Sequence, residues 1–124
     1  MNTLHLTRTN KTPEVYCNPQ GVIRIIGRGI DVNSEPEELT SWINEYVENP
    51  AEATAVYIAF EYINTVRFRK LFELLRSLIM IKSKVSIHWY YEFDDVDMQE
   101  RGEYLSMSLD YPIQYIKTHN IAGL

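Results

Sequence analysis

Two hydrophobic periods alternate along the chain, and the places where one gives way to the other divide it into elements. Leu4 to Thr7 reads as a short first strand. Val15 to Asn18 and Val22 to Ile26 flank Asn18-Pro19-Gln20-Gly21, whose proline and glycine suit a type I turn, so a β-hairpin is expected. Leu39, Trp42, Ile43, Tyr46 and Val47 then form one apolar stripe at helical spacing. Ser34 and Glu37 make a capping box at its start, and Asn49-Pro50 stops it, because proline cannot continue the hydrogen-bond ladder. Ala55 to Ala59 is continuously apolar, the pattern of a strand buried on both faces. Phe68, Leu71, Phe72, Leu75, Leu78 and Ile79 return to helical spacing over Thr65 to Ile81.

The period changes again at Lys84 to Tyr91, where Val85, Ile87, Trp89 and Tyr91 share one face and Ser86, His88 and Tyr90 the other. A third helix follows the acidic run from Asp94, with Leu105 and Leu109 on its buried side. Gly102 inside it costs about 1 kcal/mol relative to Ala, which implies close packing there. Tyr111 to Ile116 reads as the last strand, and Pro112 is tolerable at its start. A mobile tail is expected from Thr118 onward.

This order, βββαβαβαβ, predicts an α/β fold over residues 1–124: a single domain with a mixed sheet packed with helices. The alternating part implies right-handed crossovers between parallel strands, and the hairpin adds antiparallel ones. Gly27-Arg28-Gly29 reads as a turn leaving the hairpin. A phosphate-binding glycine loop would need further glycines and a βαβ setting that are missing.

Composition narrows the possible functions. Twelve basic against 17 acidic side chains leave a net charge of −5, which argues against general nucleic-acid binding. No apolar run approaches membrane-spanning length, and no secretory signal is apparent. A single cysteine, Cys17, forms no internal disulfide, so a reducing cytoplasm is expected. Cys17 and His88 each lack a companion at catalytic spacing, and Trp42 sits at core spacing, so all three read as structural. No cofactor is expected.

Two places carry candidate chemistry. Asn64 and Thr65 sit at a strand-to-helix turn, where free N–H groups favour an anion. The next turn holds Arg67, Arg69 and Lys70, the unfavourable charge sign for a helix start. Such a broken local rule marks Thr65 as a place where a negative group arrives, whereas an ordinary helix cap is the plainer alternative. Asp94, Asp95, Asp97 and Glu100 form the second. They read most simply as an acidic first turn that caps the third helix, and are compatible with a partner-facing patch. Hard-oxygen ligation of Mg²⁺ or Ca²⁺ in a small metal-dependent hydrolase is the enzymatic alternative.

Glu61-Tyr62-Ile63-Asn64-Thr65 and Trp89-Tyr90-Tyr91-Glu92, running into Asp94-Asp95-Val96-Asp97-Met98 with Glu100 and Gly102, resemble the SiaC-type regulatory phosphoproteins of bacteria. Thr12-Pro13 and Gly27-Arg28 extend the likeness, which runs from about Thr12 to Ile116. It implies a non-catalytic signalling domain similar in fold to anti-sigma-factor antagonist (STAS-like) domains. It also implies phosphorylation by a dedicated protein kinase and dephosphorylation by a PP2C-type phosphatase. The unphosphorylated form would bind a target protein, a diguanylate cyclase that controls aggregation and biofilm growth. The family's phosphorylated threonine falls on Thr65. Ile63 stands where the family usually has Phe, and Val66, Arg67 and Phe68 where it has small hydroxyl residues, which leaves Thr65 the only hydroxyl in the turn. Antagonism of an anti-sigma factor is a further alternative, by fold analogy alone.

Overall fold

A computed structural model gives the structure of the protein and describes residues 1–31 and 37–124. Six strands, β1 (Leu4–Leu6), β2 (Glu14–Asn18), β3 (Val22–Gly29), β4 (Ala53–Ile63), β5 (Lys84–Glu92) and β6 (Gln114–Thr118), form one sheet in sequence order. Helices α1 (Glu37–Tyr46), α2 (Thr65–Ile79) and α3 (Val96–Leu109) make the three connections from β3 to β6. The first two strand pairs are antiparallel and the last three parallel, as the mixed-sheet reading expects. The capping serine, Ser34, lies outside the described residues.

Each crossover moves one strand in the same direction. Right-handed connections therefore bring all three helices to one face of the sheet. The main core lies between them: Ile23, Ile25, Val56, Ile58, Phe60, Ile87 and Trp89 from the sheet meet Tyr46, Leu71, Leu75, Leu78 and Leu105 from the helices. This corrects the expectation that β4 is buried on both faces. Thr54, Val56, Ile58 and Phe60 are buried, but on the opposite face only Ala59 is buried, and Ala55 and Tyr57 remain half-exposed. There Tyr57 stacks on His88 with ring centroids 4.6 Å apart, and His88 Nε2 lies 3.2 Å from Ser86 Oγ, a structural role for the histidine.

The hairpin closes with the Gly21 N–H donating to the Asn18 carbonyl at 3.1 Å and Gly21 at φ +104°, a conformation glycine adopts without a Cβ clash. Gly27-Arg28-Gly29 is not a turn but the end of β3. Opposite it the register slips, because Gly27 faces Phe60 and Arg28 faces Tyr62, so Glu61 is the extra residue of a β-bulge. The slip lets Phe60 and Ile63, three residues apart, both join the core.

The expected mobile tail is also corrected. Ile121–Gly123 forms a 3-10 turn, and Ile121 is fully buried against Ile26, Ala59 and Tyr90 on the helix-free face. Its N–H donates to Glu92 at 2.9 Å, and Arg8 donates to the Ala122 carbonyl at 3.2 Å. Periodicity over so few residues gives no signal of this docking. Trp42 and Cys17 are core residues. The indole of Trp42 stacks on Tyr46 and donates to the Asn2 carbonyl at 2.8 Å, while burial pushes the Cys17 thiol up to about 12. Among the described residues no helix is long and apolar enough to cross a membrane.

Candidate functional site

The bulge at Glu61 shapes the end of β4. Glu61 pairs with the Arg28 guanidinium at 2.9 Å, which ties the bulge to β3. The chain then turns at Asn64, whose backbone N–H donates to the Gly29 carbonyl at 2.9 Å. The Asn64 side chain bonds in two directions: Nδ2 donates to the Ile30 carbonyl at 2.7 Å, and Oδ1 accepts from the Arg67 N–H at 2.8 Å. Asn64 is therefore the N-cap of α2, with extended backbone at φ −79° and ψ 168°.

This settles the alternative reading of Thr65 as the cap. Thr65 is the first helical residue, exposed, and its hydroxyl makes no hydrogen bond among the described residues. Exposed apolar side chains flank it, Tyr62 before and Val66 after. The parallel strands place the β5–α3 turn at the same end of the sheet, where Phe93 and Val96 are also exposed.

The three basic residues of the turn do not converge on Thr65. At 100° per residue, positions 67 and 70 lie well round the helix from position 65. Arg67 Nε donates to the Asp31 carbonyl at 2.6 Å, and Arg67 and Lys70 line a cavity of about 250 Å³ between α1 and α2. Only Arg69 stays on the Thr65 side, exposed and without an ion pair or hydrogen bond among the described residues. No acidic side chain occupies the first turn of α2, so the helix start keeps its affinity for negative charge.

Across from this turn, Phe68 meets α3. The Arg101 guanidinium carbon lies 5.0 Å from the Phe68 ring centroid, and Tyr104 lies against the same ring at 6.2 Å. Beneath them Gly102 packs on Trp89, whose indole N–H donates to the Met98 carbonyl at 2.9 Å. A Cβ on Gly102 would fall 2.5 Å from Trp89 Cδ1, which accounts for a glycine inside α3. Arg101 was not among the sequence candidates. Its one signal is being the sole basic residue of an otherwise acidic helix.

The acidic cluster divides by role. Asp95 caps α3, its Oδ1 accepting from the Met98 N–H at 3.0 Å, whereas Asp94, Asp97 and Glu100 are exposed. Among the described residues no group of three His, Cys, Asp or Glu side chains is placed to hold a metal ion.

Residues 6–118 match the model of the SiaC family regulatory phosphoprotein. None of the curated proteins matches significantly. Among solved structures, apo-SiaC from Pseudomonas aeruginosa is similar with a TM-score of 0.75 and 19% identity, over 95% of this chain and 99% of that one. The SiaC chain in the crystal structure of the P. aeruginosa diguanylate cyclase SiaD with its activator SiaC gives a TM-score of 0.78 at 17% identity, over 93% and 99%. These matches fix the fold but do not confirm a likeness to anti-sigma-factor antagonists. The chain belongs to the SiaC family of regulatory phosphoproteins, a family of signalling proteins rather than enzymes.

Proposed function

We propose that this chain is a partner-binding switch thrown by phosphorylation of Thr65. Unmodified, the end of the sheet carrying Tyr62, Thr65, Val66, Phe93 and Val96 docks and regulates a target protein. That target is a diguanylate cyclase, as it is for the SiaC of similar fold that activates SiaD. Asp94, Asp97 and Glu100 at the same end contribute an acidic, partner-facing rim. Exposed large apolar side chains flanking one site are a feature of docking surfaces.

A partner kinase modifies the site. Thr65 Oγ attacks the terminal phosphorus of a nucleoside triphosphate, its proton passes to a base on the kinase, and nucleoside diphosphate leaves. A PP2C-type phosphatase returns the hydroxyl by hydrolysis. The new group carries about −1.5 to −2 charges. Set into a closed interface, its bulk and charge would need room and desolvation, which opposes docking.

One observation carries this reading: Asn64 takes the capping role, so the neighbouring Thr65 hydroxyl is exposed and unengaged among the described residues. A kinase can therefore reach it without dismantling the helix start. Pulldown of the host's diguanylate cyclases with wild type, Thr65→Ala and Thr65→Glu tests the switch, with circular dichroism as the folding control. Wild type and Thr65→Ala should retain the cyclase and Thr65→Glu should lose it, all with one dichroism spectrum. Equal retention by all three would remove the switch.

A further inference from the structure

We propose that Arg101 of α3 is the internal receiver of the phosphate on Thr65, so that modification joins α2 to α3. This inference rests on Thr65 being the modified residue, as proposed above. It begins from a cation with no counter-charge. Among the described residues Arg101 makes no ion pair and no hydrogen bond, and its Nη1 is buried without a partner. Asp97, four residues earlier on the same helix, shares a shallow depression with Glu100, Arg101 and Tyr104. That spacing ordinarily pairs an aspartate with an arginine, yet the guanidinium lies on the Phe68 ring instead.

Phe68 connects that cation to the candidate site. It is three residues after Thr65 on α2, the spacing at which helical side chains are neighbours, with Cβ atoms about 5–6 Å apart. Long side chains on a helix also lean toward its N-terminus, which directs Phe68 toward the turn that holds Thr65. Phe68 thus links the guanidinium of Arg101, 5.0 Å from its ring centroid, to the helical turn that holds Thr65. The guanidinium's planar fork suits two phosphate oxygens at once, and moving it breaks no existing ion pair. Half-buried on an aromatic face, it is screened less than the exposed Arg69, whose pairing with a phosphate would be weak.

The charged groups on the side of the phosphate are Arg69 on α2 and Asp97, Glu100 and Arg101 on α3, whereas Arg67 and Lys70 lie round α2 toward α1. Asp97 and Glu100 oppose it and the basic residues favour it. A dominant contact with Arg101 therefore shows as a net downward shift of the second phosphate ionisation.

The test uses the full chain with phosphothreonine placed at position 65 by genetic or chemical means, so neither the kinase nor the partner is needed. The ³¹P resonance is titrated with pH in that chain and in the same chain carrying Arg101→Met, Arg101→Lys or Arg69→Met. In the phosphorylated parent the second phosphate pKa should fall about one unit below its ordinary value near 6. Arg101→Met should abolish most of that shift, Arg101→Lys should keep part of it, and Arg69→Met should leave most of it. A shift that survives both Arg101 substitutions, or one removed by Arg69→Met, overturns the assignment. Undiminished cyclase binding by Thr65→Glu would defeat the switch while leaving this titration intact, so the two failures are distinguishable.

Discussion

Asn64 donates to the carbonyl of Ile30 at 2.7 Å through the same side chain whose oxygen caps α2. One amide therefore fixes both the helix start and Ile30, just after β3. Asn64→Ala removes both bonds and should cost about 1–2 kcal/mol, the usual loss on deleting a cap. Asn64→Asp keeps the cap acceptor and loses only the donor, so its loss should be smaller. Urea unfolding of the three proteins checks the order.

Gly102 sets two effects against each other. Alanine at this position gains about 1 kcal/mol in helix propensity. It also places a methyl group 2.5 Å from Trp89 Cδ1, inside contact distance of a fully buried indole. Overpacking typically costs about 1–3 kcal/mol, so Gly102→Ala should be destabilising on balance. A lower midpoint of thermal unfolding with altered near-ultraviolet dichroism from Trp89 is the expected result.

Burial gives Cys17 a pH signature. Its thiol is pushed from an ordinary 9.0 to about 12 in the folded chain. Above pH 9 the unfolded chain loses that proton first, so the folded state binds more protons and stability falls as pH rises toward 12. The contribution is fully present below pH 9. Cys17→Ala should flatten this alkaline decline in denaturant titrations. At pH 8 a thiol reagent should react with the native protein only as fast as it unfolds.

The docked tail is open to a similar test. Ile121→Ala removes a fully buried side chain from the helix-free face and should cost about 2 kcal/mol, the low end for such truncations. Amide exchange of the Ile121 N–H, now bonded to Glu92, should accelerate with it.

The element order and the strand-to-helix turn at Asn64-Thr65 were legible because each is written in local period and local chemistry. The partial exposure of the second face of β4 was not. Ala55, Tyr57 and Ala59 are apolar enough to suggest a second covering layer, and only the common direction of three crossovers, a non-local property, leaves that face without helices. Gly27-Arg28-Gly29 misled for a related reason. A bulge and a turn both call on glycine, and only the partner strand, with Glu61 as its extra residue, separates them. In the turn itself, Asn64 and Thr65 are both competent caps by residue type. Ile30 decides between them, because its carbonyl binds the Asn64 amide. Arg101 was hidden because contact with Phe68 joins positions 33 residues apart on two helices, a pairing no spacing encodes.

Isothermal titration of a diguanylate cyclase from the host with two forms of the chain, one unmodified and one fully phosphorylated at Thr65, is the most direct measurement of gating. Phosphorylation should weaken binding by at least about tenfold, near 1.4 kcal/mol, with no change in the dichroism of the free chain. Equal affinities for the two forms would show that the hydroxyl of Thr65 does not control engagement.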